Sequence, residues 1–102
     1  MQRVDLGNYQ DKSVRVFAGR DRGAEVRKAA KLDDLDKSAE PVEVHVPEET
    51  FAVNSSFFLA MFGPSIRFLK EAFQKKYRFT GKNISETVDS GIKDALHLGI
   101  AL

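Results

Sequence analysis

Asn54-Ser55-Ser56 is a polar step inside an otherwise apolar stretch, directly ahead of a long block of helix-forming residues. Hydroxyls at such a place can cap the helix, attack as nucleophiles, or accept a phosphate. A cap contributes about 1 kcal/mol. A phosphate adds about −1.5 to −2 charges where free N–H groups and the helix dipole favour negative charge. A nucleophilic serine needs a base, and the chain offers only His45 and His97. His45 falls mid-strand on the side opposite Val44 and Val46, and His97 falls near the end of the last helix. Neither histidine has a carboxylate pair at ligand spacing, and the chain has no Cys, so no metal site, cofactor or catalytic role is expected. The serines are therefore read as a cap or a phosphoacceptor, with Ser56 the first candidate for phosphorylation and Ser55 behind it.

A second candidate is the loop Gly19-Arg20-Asp21-Arg22-Gly23. It precedes a helix, so backbone N–H groups with Arg20 and Arg22 could receive a phosphate or carboxylate. It lacks both the full Gly-x-Gly-x-x-Gly pattern and the Lys-Ser/Thr of a P-loop. The alternative is a plain strand-to-helix turn with solvated arginines.

The third is a second apolar stripe. Phe58, Phe62, Ile66, Leu69 and Phe73 follow helical spacing and form a core stripe, while Phe57, Met61 and Phe68 lie beside it. Either a neighbouring helix covers these three, or they form a partner surface together with Asn54.

These residues need elements to hold them. Arg3–Leu6 and Ser13–Phe17 alternate polar and apolar around Gly7–Asp11, which predicts a hairpin. Helix formers run from Ala24 to about Leu35, and Val42–Val46 alternates strictly until Pro47 ends it. The stripe from Ser56 to about Lys75 contains Gly63-Pro64, which predicts a kink or a restart. Tyr77–Thr80 is a short strand. Asn83-Ile84-Ser85-Glu86 has capping-box spacing ahead of a last amphipathic helix through Leu96. Because the strands alternate rather than read as continuous apolar runs, one sheet face should meet helices and the other water. Arg15, Glu43 and Arg78 should alternate in sign on the open face. The expected fold is a two-layer α/β domain over residues 1–102. Its four-stranded mixed sheet has order 1-2-3-4, the first strand antiparallel, and about three helices mainly on one face.

Composition limits function further. At 102 residues the chain supports one modest core. A net charge of +1 gives no concentrated basic face for nucleic acid. No apolar run reaches the roughly 18 residues of a membrane span, and no signal-peptide pattern opens the chain, so a cytoplasmic protein is expected.

With its Asn-Ser-Ser opening the helix after the third predicted strand, the chain resembles the STAS domain (sulfate transporter and anti-sigma-factor antagonist). It resembles more closely the STAS-like bacterial family of unknown function. The resemblance spans roughly Val14 to Leu98. It rests on Gly19–Gly23, Phe51–Phe57, Met61-Phe62-Gly63 and the segment Asn83 to Leu96. In anti-sigma-factor antagonists an Asp-Ser-Ser-Gly step carries the regulatory serine. Asn54 falls on its Asp, Ser55 on its first Ser, Ser56 on the phosphorylated Ser and Phe57 on its Gly. The resemblance implies a non-catalytic regulatory domain that binds another protein, such as a histidine-kinase-like ATPase, through Asn54–Phe57, Met61, Phe68 and the Gly19–Gly23 loop. A small anion- or nucleotide-binding domain is the alternative. A homodimer-forming module is a third reading, the chain being expected as a monomer or weak homodimer.

Overall fold

Alternation decides the two faces of the sheet. The computed structural model describes residues 2–9, 16–48, 50 and 52–101, and for residue 16 and residues 97–101 the backbone only. Strands β1 (Gln2–Asp5), β3 (Val42–Val46) and β5 (Tyr77–Gly81) form a parallel sheet in the order β1-β3-β5. Val42, Val44 and Val46 are fully buried, while Glu43 and His45 between them are only half-buried. The register aligns Val4, Val44 and Phe79 in one row on the covered face. On the open face it aligns Arg3, Glu43 and Arg78, and next to them Asp5, His45 and Thr80. Charge does alternate across this face, with Arg3 in the place expected of Arg15, which lies outside the described residues. Two crossovers of the usual right hand that step in one direction put both connections on one side, which accounts for the single covered face.

The expected hairpin and four-strand order are corrected. Leu6–Tyr9 after β1 is a 3-10 turn in which the Gly7 N–H donates to Asp5 Oδ1 at 2.9 Å. That turn takes the chain out of the strand, and β1 pairs parallel with β3 instead. Of the predicted second strand, residues 13–15 lie outside the described part. Its end, β2 (Val16–Phe17), pairs parallel with β4 (Ala52–Val53) in a separate two-stranded sheet. No antiparallel pair is present among the described strands.

The helices pack as one layer around α3 (Ser55–Leu69), which lies against both α1 (Arg20–Ala29) and α5 (Ser85–Ala101). Its two apolar stripes are explained by these two neighbours. A Cβ added to Gly23 of α1 would meet the Phe57 carbonyl oxygen at 2.5 Å, and one on Gly91 of α5 would meet the Phe58 ring at 2.2 Å. Glycine thus sets both helix–helix distances. Phe58, Phe62, Phe73, Tyr77 and Phe79 fill the space between α3 and the sheet, with ring centroids 5.0 to 6.4 Å apart. Pro64 sits inside α3, which runs on through it without restarting; packing on both flanks holds the turn whose hydrogen bond Pro removes. The predicted helix to Leu35 is instead broken at Lys31, whose φ of 58° is left-handed, and α2 (Leu32–Lys37) folds back from it. After α3, Lys70 (φ 52°) and a 3-10 turn lead into α4 (Phe73–Lys76). Among the described residues no helix is long and apolar enough to cross a membrane.

Candidate functional site: paired helix starts and a buried polar network

The short sheet β2–β4 explains how two of the candidate segments meet. Both strands run the same way and each leads directly into a helix, β2 through Ala18-Gly19 into α1 and β4 through Asn54 into α3. The starts of α1 and α3 therefore lie side by side, tied by the Asn54 N–H donating to the Phe17 carbonyl at 2.8 Å. Gly19 holds the N-cap of α1 with φ 91°, a conformation suited to glycine, and offers no side chain to cap it. Asn54 holds the N-cap of α3 in extended conformation, and its carbonyl accepts from the Phe58 N–H at 3.0 Å. Its side chain makes no cap bond and is exposed. Ser55 is exposed and Ser56 half-buried. Two uncapped helix starts thus present free N–H groups and the positive ends of two dipoles on one surface.

The candidates divide accordingly. Arg20 is exposed and is the first residue of α1. Arg22 is engaged elsewhere, pairing with Glu25 at 3.2 Å and donating to the Tyr9 carbonyl. Gly23 faces α3 as a spacer and has no part in an anion cradle. Phe57 and Met61 are 1% and 0% exposed, so the expectation that they contact a partner is corrected: they belong to the core, Phe57 against Phe17 at 5.2 Å. Among the described residues Phe68 is the large apolar side chain left open, at 61% exposure. It lies thirteen residues along α3 from Ser55, about 20 Å at 1.5 Å per residue, and shares no surface with the serines.

No hydrogen bond runs from either serine hydroxyl to a described residue. The His45 ring meets Thr80 on the open face of the sheet, Nδ1 to Oγ1 at 3.4 Å, and Thr80 Oγ1 donates to Glu43 Oε2 at 2.8 Å. The His97 side chain lies outside the described residues.

Sequence reading missed the main polar feature of the interior. Arg27 Nη1 donates to the Met61 carbonyl and to Ser65 Oγ, both at 2.8 Å. Its Nη2 reaches Asp33 Oδ1 at 2.6 Å and Asp36 Oδ2 at 2.9 Å. Ser65 Oγ donates to Asp36 Oδ2 at 2.8 Å, and the Tyr77 hydroxyl donates to Asp36 Oδ1 at 2.5 Å. Burial, then the hydrogen bond to Asp36 and that carboxylate's charge, push the Tyr77 hydroxyl well above its ordinary value, against smaller opposing effects of Ser65 and Arg27. The network joins α1, α2, α3 and β5, and both oxygens of the buried Asp36 carboxylate are used in it. It is built to hold the fold, and the break at Lys31 is what returns Asp33 and Asp36 to Arg27. A signal existed: Ser65 stands at a core position of the α3 stripe, four residues after Met61, and Tyr77 shares the apolar side of its strand with Phe79.

Comparison with protein families, with curated proteins and with solved structures finds no match.

Proposed function

We propose that the chain is a non-catalytic regulatory domain that binds another protein through the paired starts of α1 and α3, and that phosphorylation of Ser55 or Ser56 switches the contact. The observation that carries this reading is the uncapped, exposed step Asn54-Ser55, with the exposed Arg20 opening the helix whose start is tied to it. A polar segment that capped its helix would be explained by stability alone; here the side chain of Asn54 makes no cap bond. A phosphate on Ser55 would enter a site already favourable to anions, with free N–H groups and Arg20 at the tied start of α1. It would leave the core intact and reverse the charge of the contact surface. Ser55 is the more accessible acceptor, and so takes precedence over Ser56 in this reading.

The same reading takes the chain as a STAS-like bacterial domain working in the cytoplasm. Its partner is then a kinase-type ATPase of the histidine-kinase-like class, in line with the resemblance of the Asn-Ser-Ser step. The reading rests on the serine step; the four-strand order expected from the strand pattern has no part in it. Mass-spectrometric mapping of the chain isolated from its native cells, with its co-purifying proteins, tests the proposal. Phosphate on Ser55 or Ser56 together with a bound kinase-type ATPase supports it. A chain that is never phosphorylated there, in cells where its partner is engaged and released, defeats the switch.

A further inference from the structure

β5 stands at one edge of the parallel sheet, and among the described strands none pairs with it on the side away from β3. In a parallel ladder every second residue of a strand spends both its N–H and its C=O on the neighbour. The Lys82 N–H donates to the Val46 carbonyl at 2.8 Å, so Arg78 and Thr80 are the residues that bond to β3, and Tyr77 and Phe79 turn the other way. The Tyr77 N–H closes α4 on the Phe73 carbonyl. The Tyr77 carbonyl and both backbone groups of Phe79 are left facing the free edge. The Phe79 side chain shows the same opening: Val4 and Val44 in its row are buried, but Phe79 is only half-buried.

An open groove of about 470 Å³ lies along that edge, lined by all of β5 together with Ile84 and, from α5, Val88 and Asp89. Its charge is one-sided. Residues 72–85 hold Lys75, Lys76, Arg78 and Lys82 and no acidic residue. The Lys76 amine is spent on the Ser38 and Glu40 carbonyls. Arg78 and Lys82 line the groove, are exposed, and form no ion pair among the described residues. Glu43, next to Arg78 in the register, accepts from Thr80, and Asp89 is the one acidic residue lining the groove.

We infer that the free edge of β5 takes an extended acidic segment of a partner protein as an added strand. Unpaired backbone groups on a sheet edge are met by another strand. The exposed cations call for carboxylates, and the half-exposed Phe79 and Ile84 call for apolar side chains. Successive residues of a strand point to opposite faces. The segment that fits therefore alternates, with acids on the open face beside Arg78 and apolar residues over Phe79, Ile84 and Val88. A second copy of this chain is a poor occupant, because β5 paired with itself sets Arg78 and Lys82 against the same cations. The groove shares no residue with the paired starts of α1 and α3, and its occupancy is independent of the serine switch.

The test is a titration of the isotope-labelled chain with the capped peptide Glu-Val-Glu-Val-Glu, followed by amide NMR and hydrogen exchange. Saturable shifts at Phe79 and Gly81 are expected, with slowed exchange of the Phe79 N–H. The same peptide methylated on its backbone nitrogens keeps its charge but cannot donate to the edge. It should bind about tenfold more weakly, the effect of losing one or two hydrogen bonds. Lys-Val-Lys-Val-Lys should bind more weakly than the acidic peptide. Arg78→Gln and Lys82→Gln should each weaken the acidic peptide about two- to fivefold, the measure of an exposed ion pair. The absence of saturable shifts, equal binding of the acidic and basic peptides, or full binding of the methylated one overturns the proposal, and these three readings need no variant to fold. Protection of the Phe79 N–H that rises with protein concentration and shuts out the peptide assigns the edge to a second copy, and overturns it too.

Discussion

Replacing Asp36 by Ala should be among the most damaging single changes outside the aromatic core. The carboxylate is 6% exposed and accepts from Arg27 at 2.9 Å, Ser65 at 2.8 Å and Tyr77 at 2.5 Å. Removing it leaves the Ser65 and Tyr77 hydroxyls buried without their acceptor and the Arg27 guanidinium without its buried counter-charge. Breaking a buried pair from one side costs about 3–5 kcal/mol. Arg27 keeps Asp33, but that residue's side chain is 82% exposed and screened by water, so it compensates little. A cost near 3 kcal/mol is therefore expected, a large part of the roughly 5–15 kcal/mol available to a small domain. At about 4–8 °C per kcal/mol it lowers the melting temperature by about 12–24 °C. Urea unfolding followed by circular dichroism measures it, with Asp33→Ala as a control expected to cost no more than about 0.5 kcal/mol. An Asp36→Ala cost below about 1 kcal/mol, at unchanged denaturant slope, would refute the view that the network holds α1, α2, α3 and β5 together.

The alkaline limb of the stability curve should depend on Tyr77. Its folded hydroxyl is raised above the ordinary value near 10, so the stability it contributes is complete below that pH and is lost as pH rises beyond it. Wild type should lose up to about 1.4 kcal/mol more per pH unit there than Tyr77→Phe, measured by urea midpoints across the alkaline range. Gly23→Ala places a methyl 2.5 Å from the Phe57 carbonyl oxygen, so α1 must move from α3. A loss of about 1–3 kcal/mol is expected despite alanine's better helix propensity, and an unchanged urea midpoint would contradict the close approach. Met61→Ala should cost about 2–5 kcal/mol because its side chain is fully buried, whereas Phe68→Ser, at the open end of α3, should change stability by no more than about 0.5 kcal/mol. Calorimetry of the two variants compares them directly.

Period-two alternation made β1, β3 and β5 legible, together with the side each turns to the core, because a half-buried strand must sort its side chains by face. Neighbour order was not legible in the same pattern. Arg3–Leu6 would alternate identically beside either partner, and the Asp5–Gly7 turn that released it resembles a hairpin loop in composition. Glycine or proline would have announced the break between α1 and α2; instead Lys31, an ordinary residue in left-handed conformation, makes it. Phe57 and Met61 were visible as a second stripe, but only the position of Gly23 identifies α1 as its cover. The Asn54–Ser56 step was located correctly as a helix start. That its side chain would leave the cap bond unmade depends on backbone placement by the β2–β4 pair, two residues to a strand, which carries almost no sequence pattern.

The measurement closest to the central claim is the fraction of the native protein partner retained by Ser55→Asp relative to Ser55→Ala, with both variants first shown to unfold at the wild-type urea concentration. The paired helix starts, as a switchable contact surface, predict that the alanine chain holds the partner and the aspartate chain loses most of it. Equal retention by both, or a loss that follows stability instead of charge, would contradict the switch and return the serine step to a structural part of α3.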